Sequence, residues 1–154
     1  MTSDGRLLSD RFPRASGYHP EWVLAGVSGA ANPFWLSEWL TEALGLRPGM
    51  RVLDLGCGRV LSSIFLHREF GVQIWATDLW FSAAENLERI RDAGVEDGVF
   101  PIHADARSLP FAPGFLTSSH PSTPSFISAQ MICISITWRA SSRRAAKSGS
   151  LGPE

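Results

Sequence analysis

Arg51-Val-Leu-Asp-Leu-Gly-Cys-Gly58 and the later stretch Ile74-Trp-Ala-Thr-Asp78 decide how this chain folds. A short aliphatic strand runs into a turn with two glycines, a helix-compatible stretch follows, and a second apolar strand ends in an acid. That order opens a nucleotide-binding βαβ unit. Gly56 and Gly58 lack a Cβ, so the backbone can turn sharply and a ligand can approach the N–H groups at the head of the next helix. Asp54, at the end of the first strand, is expected to line the same crevice. Asp78 closes the second strand where a ribose needs an acceptor for its two hydroxyls. Two carboxylates without a phosphate-binding lysine argue against a nucleoside polyphosphate. The third glycine of a G-x-G-x-x-G fingerprint would fall on Leu61, which disfavours tight pyrophosphate packing and, with it, an NAD-dependent oxidoreductase.

The surrounding sequence supplies the rest of an α/β unit. Met1 to Ser16 carry no periodicity and are expected to be mobile, and Pro20 to Val27 can form a short helix. Asn32-Pro33 reads as an N-cap with proline at the first helical position, and Gly45 ends that helix after Leu44. Trp35, Leu36, Trp39, Leu40 and Ala43 recur at three and four, which predicts one core-packing face. The alternative is a lid, with Trp22, Trp35 or Trp39 on the substrate side. A turn over Leu46 to Met50 leads into the first strand, Val52 to Leu55. A helix over Leu61 to Phe70 should bury Leu61, Ile64, Phe65 and Leu66. The second strand spans Val72 to Thr77. Ser82-Ala-Ala-Glu85 is a capping box that starts a helix running to Ala93, with Ala84, Leu87 and Ile90 facing inward. Val99 to His103 is a third strand, in which Pro101 is tolerable where no ladder donor is needed.

At its glycine loop and strand-end acid the chain resembles the class I S-adenosylmethionine-dependent methyltransferases. The resemblance covers roughly residues 46–115. It implies a Rossmann-like, doubly wound α/β fold in which Asp54, Gly56, Cys57 and Gly58 contact the methionine part of the cofactor. Asp78, with Leu79 beside it, would hold the ribose. His103-Ala-Asp-Ala-Arg-Ser-Leu-Pro-Phe111 looks like the family's adenine-side turn, with Asp105 accepting from the exocyclic amine and Ala106 next to it. The family often has a further glycine where this chain has Val60. The implied cofactor is S-adenosylmethionine, and the implied reaction is methyl transfer to a small-molecule acceptor. No catalytic residue is implied within the resembling part, because the family's acceptor-orienting residues come largely from the fourth strand onward.

Composition bounds the class. The chain has 154 residues, 44% of them hydrophobic, a net charge of -1 and a mean hydropathy of +0.01, which suits one globular domain. No apolar run approaches the ~20 residues of a membrane span, and the early arginines are not followed by the apolar segment of a signal peptide. A cytoplasmic protein is expected. Cys57 and Cys133 form neither a disulfide framework nor a metal site, and free thiols are expected. The tail is basic, but serine and proline dominate it rather than interleaved aromatics, so no nucleic-acid partner is expected. The sequence carries no signal for an oligomeric state.

The organisation predicted is an N-terminal helical segment (1–45), a cofactor-binding Rossmann-like core (46–115) truncated after the third or fourth strand, and an atypical, poorly ordered tail (116–154). Between Leu116 and Ser150 there is no acid and ten residues are serine. Where a fourth strand led by an acid should follow, the chain reads Leu-Thr-Ser-Ser-His-Pro-Ser. Shifting the codons by one base from Phe115 permits F-D-V-I-A-S-I-D-A-F-I-Y-F-G-T-D-D-L, an acid-led alternating strand followed by the start of a helix. The tail therefore reads as a frameshift product. The alternative is a native edge strand over Ile132 to Trp138, whose apolar residues alternate. A frameshifted chain could also be a non-catalytic fragment that keeps only the cofactor half.

Overall fold

The computed structural model describes residues 8–27 and 32–116. A 3-10 turn at Ala15–Gly17 precedes helices α1 (Pro20–Gly26) and α2 (Pro33–Leu44). Strand β1 (Arg51–Leu55), helix α3 (Leu61–Phe70), strand β2 (Gln73–Asp78), helix α4 (Ala83–Asp92) and strand β3 (Val99–His103) follow. The strands are parallel in the order β1-β2-β3, with Asp54 opposite Ala76 and Asp78 opposite His103. Parallel neighbours require crossovers. These are α3, which packs on β2, and α4, which packs on β3. The alternation is the Rossmann-like α/β architecture, of which the described residues supply three strands. The tail from residue 117, with Cys133 and Ile132 to Trp138, lies outside the described residues.

Helix boundaries follow local chemistry. The Oδ1 of Asn32 accepts from the amides of Phe34 (3.0 Å) and Trp35 (3.4 Å), Pro33 occupies the first turn, and Gly45 ends α2 in the left-handed region. At α4 both halves of the capping box are made: the Ser82 Oγ accepts from Glu85 N (3.2 Å) and Ser82 N donates to the Glu85 carboxylate (3.1 Å). Helix α3 buries Leu61, Ile64, Phe65 and Leu66, as its spacing predicts. Pro101 stands in β3, which pairs only with β2 among the described residues.

Three expectations are corrected. Helix α2 turns Phe34, Ser37 and Glu38 inward, whereas Trp39 is 54% exposed and Ala43 is exposed. Its orientation is set by two partners that spacing alone does not show. Phe34 joins an aromatic cluster with Tyr18 (4.5 Å between centroids), Phe65 (5.5 Å) and Trp22 (5.7 Å). The Glu38 carboxylate accepts from the amides of Arg14 (3.2 Å) and Ala15 (2.8 Å). The same bonds bear on the second expectation, mobility from Met1 to Ser16, of which residues 1–7 lie outside the described residues. From residue 8 the chain is built in: Ala15 is buried, and the Ser16 Oγ accepts from Ser9 N (2.9 Å) and donates to Phe12 O (2.7 Å). In α4, Ala84 is exposed and Leu87 half-buried. Ile90 is buried as expected, beside a polar residue, Asn86.

Core residues from every layer are contiguous. Ala15, Val23 and Phe34 pack in one cluster with Val52, Ile64, Phe65, Ile74, Ile90 and Val99, so the N-terminal segment and the sheet share one hydrophobic core.

Candidate cofactor-binding site

In open α/β sheets ligands bind outside the carboxyl ends of the strands. Here that position holds a crevice of about 480 Å³ lined by Leu55, Gly56, Gly58, Thr77, Asp78, Leu79, Trp80, Phe81, Ala104, Asp105 and Ala106. The structure thus brings together Gly56, Gly58, Asp78, Leu79, Asp105 and Ala106 from the sequence-predicted set. Asp54 and Cys57 do not line it. None of the tryptophans proposed as a lid does either.

The glycine loop turns through two left-handed residues, Gly56 at φ +77° and Gly58 at φ +55°. Its amides do not point at a ligand, which corrects the expectation of exposed N–H groups. Gly56 N (2.8 Å) and Cys57 N (3.2 Å) both donate to the Thr77 carbonyl, Gly58 N donates to the Asp78 Oδ2 (2.8 Å), and Val60 N donates to the Cys57 carbonyl (3.0 Å). Buried backbone donors must be paired, and the end of β2 pairs the first three. A phosphate arriving at the loop would find these four donors spent.

Asp78 is buried and central. Its Oδ1 accepts from Trp80 N (2.7 Å) and Phe81 N (3.2 Å), while Oδ2 holds Gly58 N. An ionised carboxylate offers about four acceptor sites. Oδ2 has room for one ribose hydroxyl, and a second hydroxyl would share Oδ1 with the two amides.

Asp54 is expected from the sequence to line the crevice and does not, for a clear cause. Its Oδ2 accepts from the hydroxyls of Ser62 (2.6 Å) and Ser63 (2.7 Å) in the first turn of α3, and the residue is 2% exposed. Burial raises its pKa above the ordinary carboxylate value, an effect opposed by the two hydroxyls. Asp54 therefore joins the end of β1 to the start of α3. Cys57 is likewise buried, and burial pushes its thiol pKa upward, which keeps it protonated and poorly nucleophilic at neutral pH.

Asp105 sits at the far rim. Arg107 grips both carboxylate oxygens through Nε (3.0 and 3.2 Å) and one oxygen through a terminal nitrogen (2.5 Å), which holds the acid at a pKa of about 2. An adenine amine would share this acceptor with the guanidinium.

Sequence reasoning missed Leu55, Thr77, Trp80, Phe81 and Ala104. The signal for Trp80 and Phe81 was their place directly after the strand-end acid and before the capping box. Trp80 is 88% exposed on the crevice wall. Val60 carries the left-handed conformation, φ +58°, at the position where the family often has glycine, and it is the non-glycine residue with positive φ among those described. Its side chain is fully buried, so the gain from burying a valine, about 1.5–3 kcal/mol, offsets a left-handed penalty of about 1–2 kcal/mol.

Comparison with known proteins agrees with this geometry. No family model matches the chain. A geranyl diphosphate 2-C-methyltransferase from Streptomyces lasalocidi is 32% identical over 85 residues, 54% of this chain and 28% of that protein. A demethylmenaquinone methyltransferase from Mycobacterium sp. (strain KMS) is 35% identical over 86 residues, 56% of this chain and 34% of its own length. The chain thus spans about a third of the curated relatives it matches. Among solved structures, the [4+2]-cyclase SpnF superposes with a TM-score of 0.52 at 23% identity, covering 59% of this chain and 35% of that one. The curated relatives of this chain are thus methyltransferases, matched over about half of its length, and its fold is part of the Rossmann-like fold seen in its structural neighbour.

Proposed function

We propose that the crevice binds S-adenosylmethionine and that the protein moves the cofactor's methyl group to a small-molecule acceptor. The observation that carries this reading is the loop itself. It turns through two glycines yet keeps its amides for the end of β2, which suits a ligand without phosphates and disfavours a dinucleotide. The volume lies within the ordinary range for small-ligand sites, about 300–1,000 Å³. Asp78 would accept a ribose hydroxyl on Oδ2, Asp105 with Ala106 would meet the adenine, and Leu79 and Trp80 would supply apolar wall. The bound cofactor supplies an electrophilic methyl on a sulfonium. The chain's own contribution is orientation, which needs no acid or base from the described residues. Names of the relatives favour a small apolar or isoprenoid-type acceptor, such as geranyl diphosphate or demethylmenaquinone.

Titration of the 154-residue chain with S-adenosylhomocysteine tests the reading. Calorimetry should show one site, Trp80 emission should change on binding, and NADH should not displace the ligand. Trp80→Phe should remove the optical signal and keep the heat. Absence of binding, or displacement by NADH, would sink the proposal.

Among the described residues no helix is long and apolar enough to cross a membrane, and no group of three His, Cys, Asp or Glu could hold a metal ion. A cytoplasmic location and a nucleic-acid-free role remain part of the proposed reading. So does the frameshift, supported by the acid-free, serine-rich composition from Leu116 to Ser150 and by the acid-led strand in the shifted frame. Sequencing the coding DNA from the codon of Pro110 onward should reveal a one-nucleotide change of frame. A tryptic peptide ending in Trp138-Arg139, detected by mass spectrometry in protein from its native host, would show the tail is genuine.

A further inference from the structure

The two peptide groups that flank the Gly58 Cα are each held by a side chain. The Gly58 N–H donates to the Asp78 Oδ2 (2.8 Å), and the Gly58 carbonyl accepts from the Asn86 Nδ2 (2.9 Å). Asn86 lies one turn inside α4, is 2% exposed, and spends its Oδ1 on Arg89 (3.2 Å). A helix face that spacing would fill with apolar residues instead carries a buried amide into the back of the glycine loop. Burying such a group is unfavourable unless it is paired, and one of its partners is the loop carbonyl beside the crevice. Gly58 itself has no side chain to anchor it, and at φ +55° it belongs to a residue type with broad conformational freedom. One hydrogen bond on each of the two peptide planes that meet at its Cα restricts that freedom.

We propose that Asn86 is a positioning residue for the glycine loop: through the Gly58 carbonyl it fixes the Gly58–Arg59 peptide and so the turn at Gly58, which lines the crevice, so ligand affinity depends on a side chain of α4 that does not line the crevice. The proposal rests on the cofactor reading for its effect on affinity, but not for its effect on the loop. The remaining anchor, the Asp78 carboxylate, also bonds Trp80 N and Phe81 N. Asp78 holds only the peptide plane before the Gly58 Cα; the plane after it, whose carbonyl otherwise meets the Cys57 thiol at 3.8 Å, is held by Asn86.

Asn86→Leu keeps size and removes the donor. In the 154-residue chain it should weaken S-adenosylhomocysteine by about tenfold, the scale of one lost hydrogen bond, and should speed amide hydrogen exchange at Gly58. Ile90→Val, on the same helix and equally buried, should lower the melting temperature while leaving both readouts as in the parent. Affinity and Gly58 protection unchanged in Asn86→Leu would overturn the proposal, as would equal loss of both in Ile90→Val. Should the parent chain bind no S-adenosylhomocysteine, the cofactor reading fails by itself. Faster Gly58 exchange confined to Asn86→Leu would then still support the positioning role, and unchanged exchange would overturn it.

Discussion

Gly58→Val should abolish S-adenosylhomocysteine binding, a loss of about a hundredfold or more, and should lower stability by about 1–2 kcal/mol from backbone strain alone. The contrast with Val60 explains why the effect is large. Both positions are left-handed, at φ +55° and +58°. At position 60 the side chain is fully buried in the core, and that burial offsets the strain. Gly58 lines the crevice and has its N–H and carbonyl fixed by Asp78 and Asn86. A branched side chain there either enters the ligand's space or drives the peptide off both anchors. Gly58→Ala should fall between, with the strain but only one methyl. Isothermal titration and denaturant unfolding, run in parallel, separate the two effects. Near-native affinity in the valine variant would mean that the loop is a turn and nothing more.

Much of this site was legible because its elements announce themselves locally. The Asn32-Pro33 start and Gly45 end of α2, the Ser82–Glu85 capping box and the apolar spacing of α3 depend on neighbours within a turn or two of chain, and the structure places each where the sequence does. What escaped depends on partners far away in sequence. Glu38 faces inward because two amides of residues 14 and 15 need an acceptor. Asn86 is buried because a loop carbonyl some twenty-eight positions earlier needs a donor. Asp54 is buried outside the crevice lining because Ser62 and Ser63 present hydroxyls at the head of α3. In each case a polar group occupies a place that periodicity assigns to an apolar one or to a ligand contact, and hydrogen-bond satisfaction overrides the pattern. The loop amides were misread for the same reason: the end of β2 claims them before a ligand can.

Asp78→Ala should weaken S-adenosylhomocysteine by about ten- to a hundredfold, the value of a charge-assisted hydrogen bond of roughly 1.5–3 kcal/mol. The structure adds a second effect. The same carboxylate serves Gly58 N, Trp80 N and Phe81 N, so alanine strands three donors. Trp80 is open to water, which can replace its partner, but Gly58 is buried, and an unsatisfied buried amide costs about 1–3 kcal/mol. Affinity and stability should therefore fall together. Asp78→Asn separates the causes less well than its similar size suggests: its single carbonyl oxygen can serve either Gly58 or the Trp80 and Phe81 amides, and its NH₂ group then faces the other set as one donor against another. The expected order of affinity is parent, then asparagine, then alanine, with Gly58 exchange fastest in alanine. An unchanged affinity in Asp78→Ala, with the fold intact by circular dichroism, would remove this residue from the site and leave the crevice without its principal acceptor.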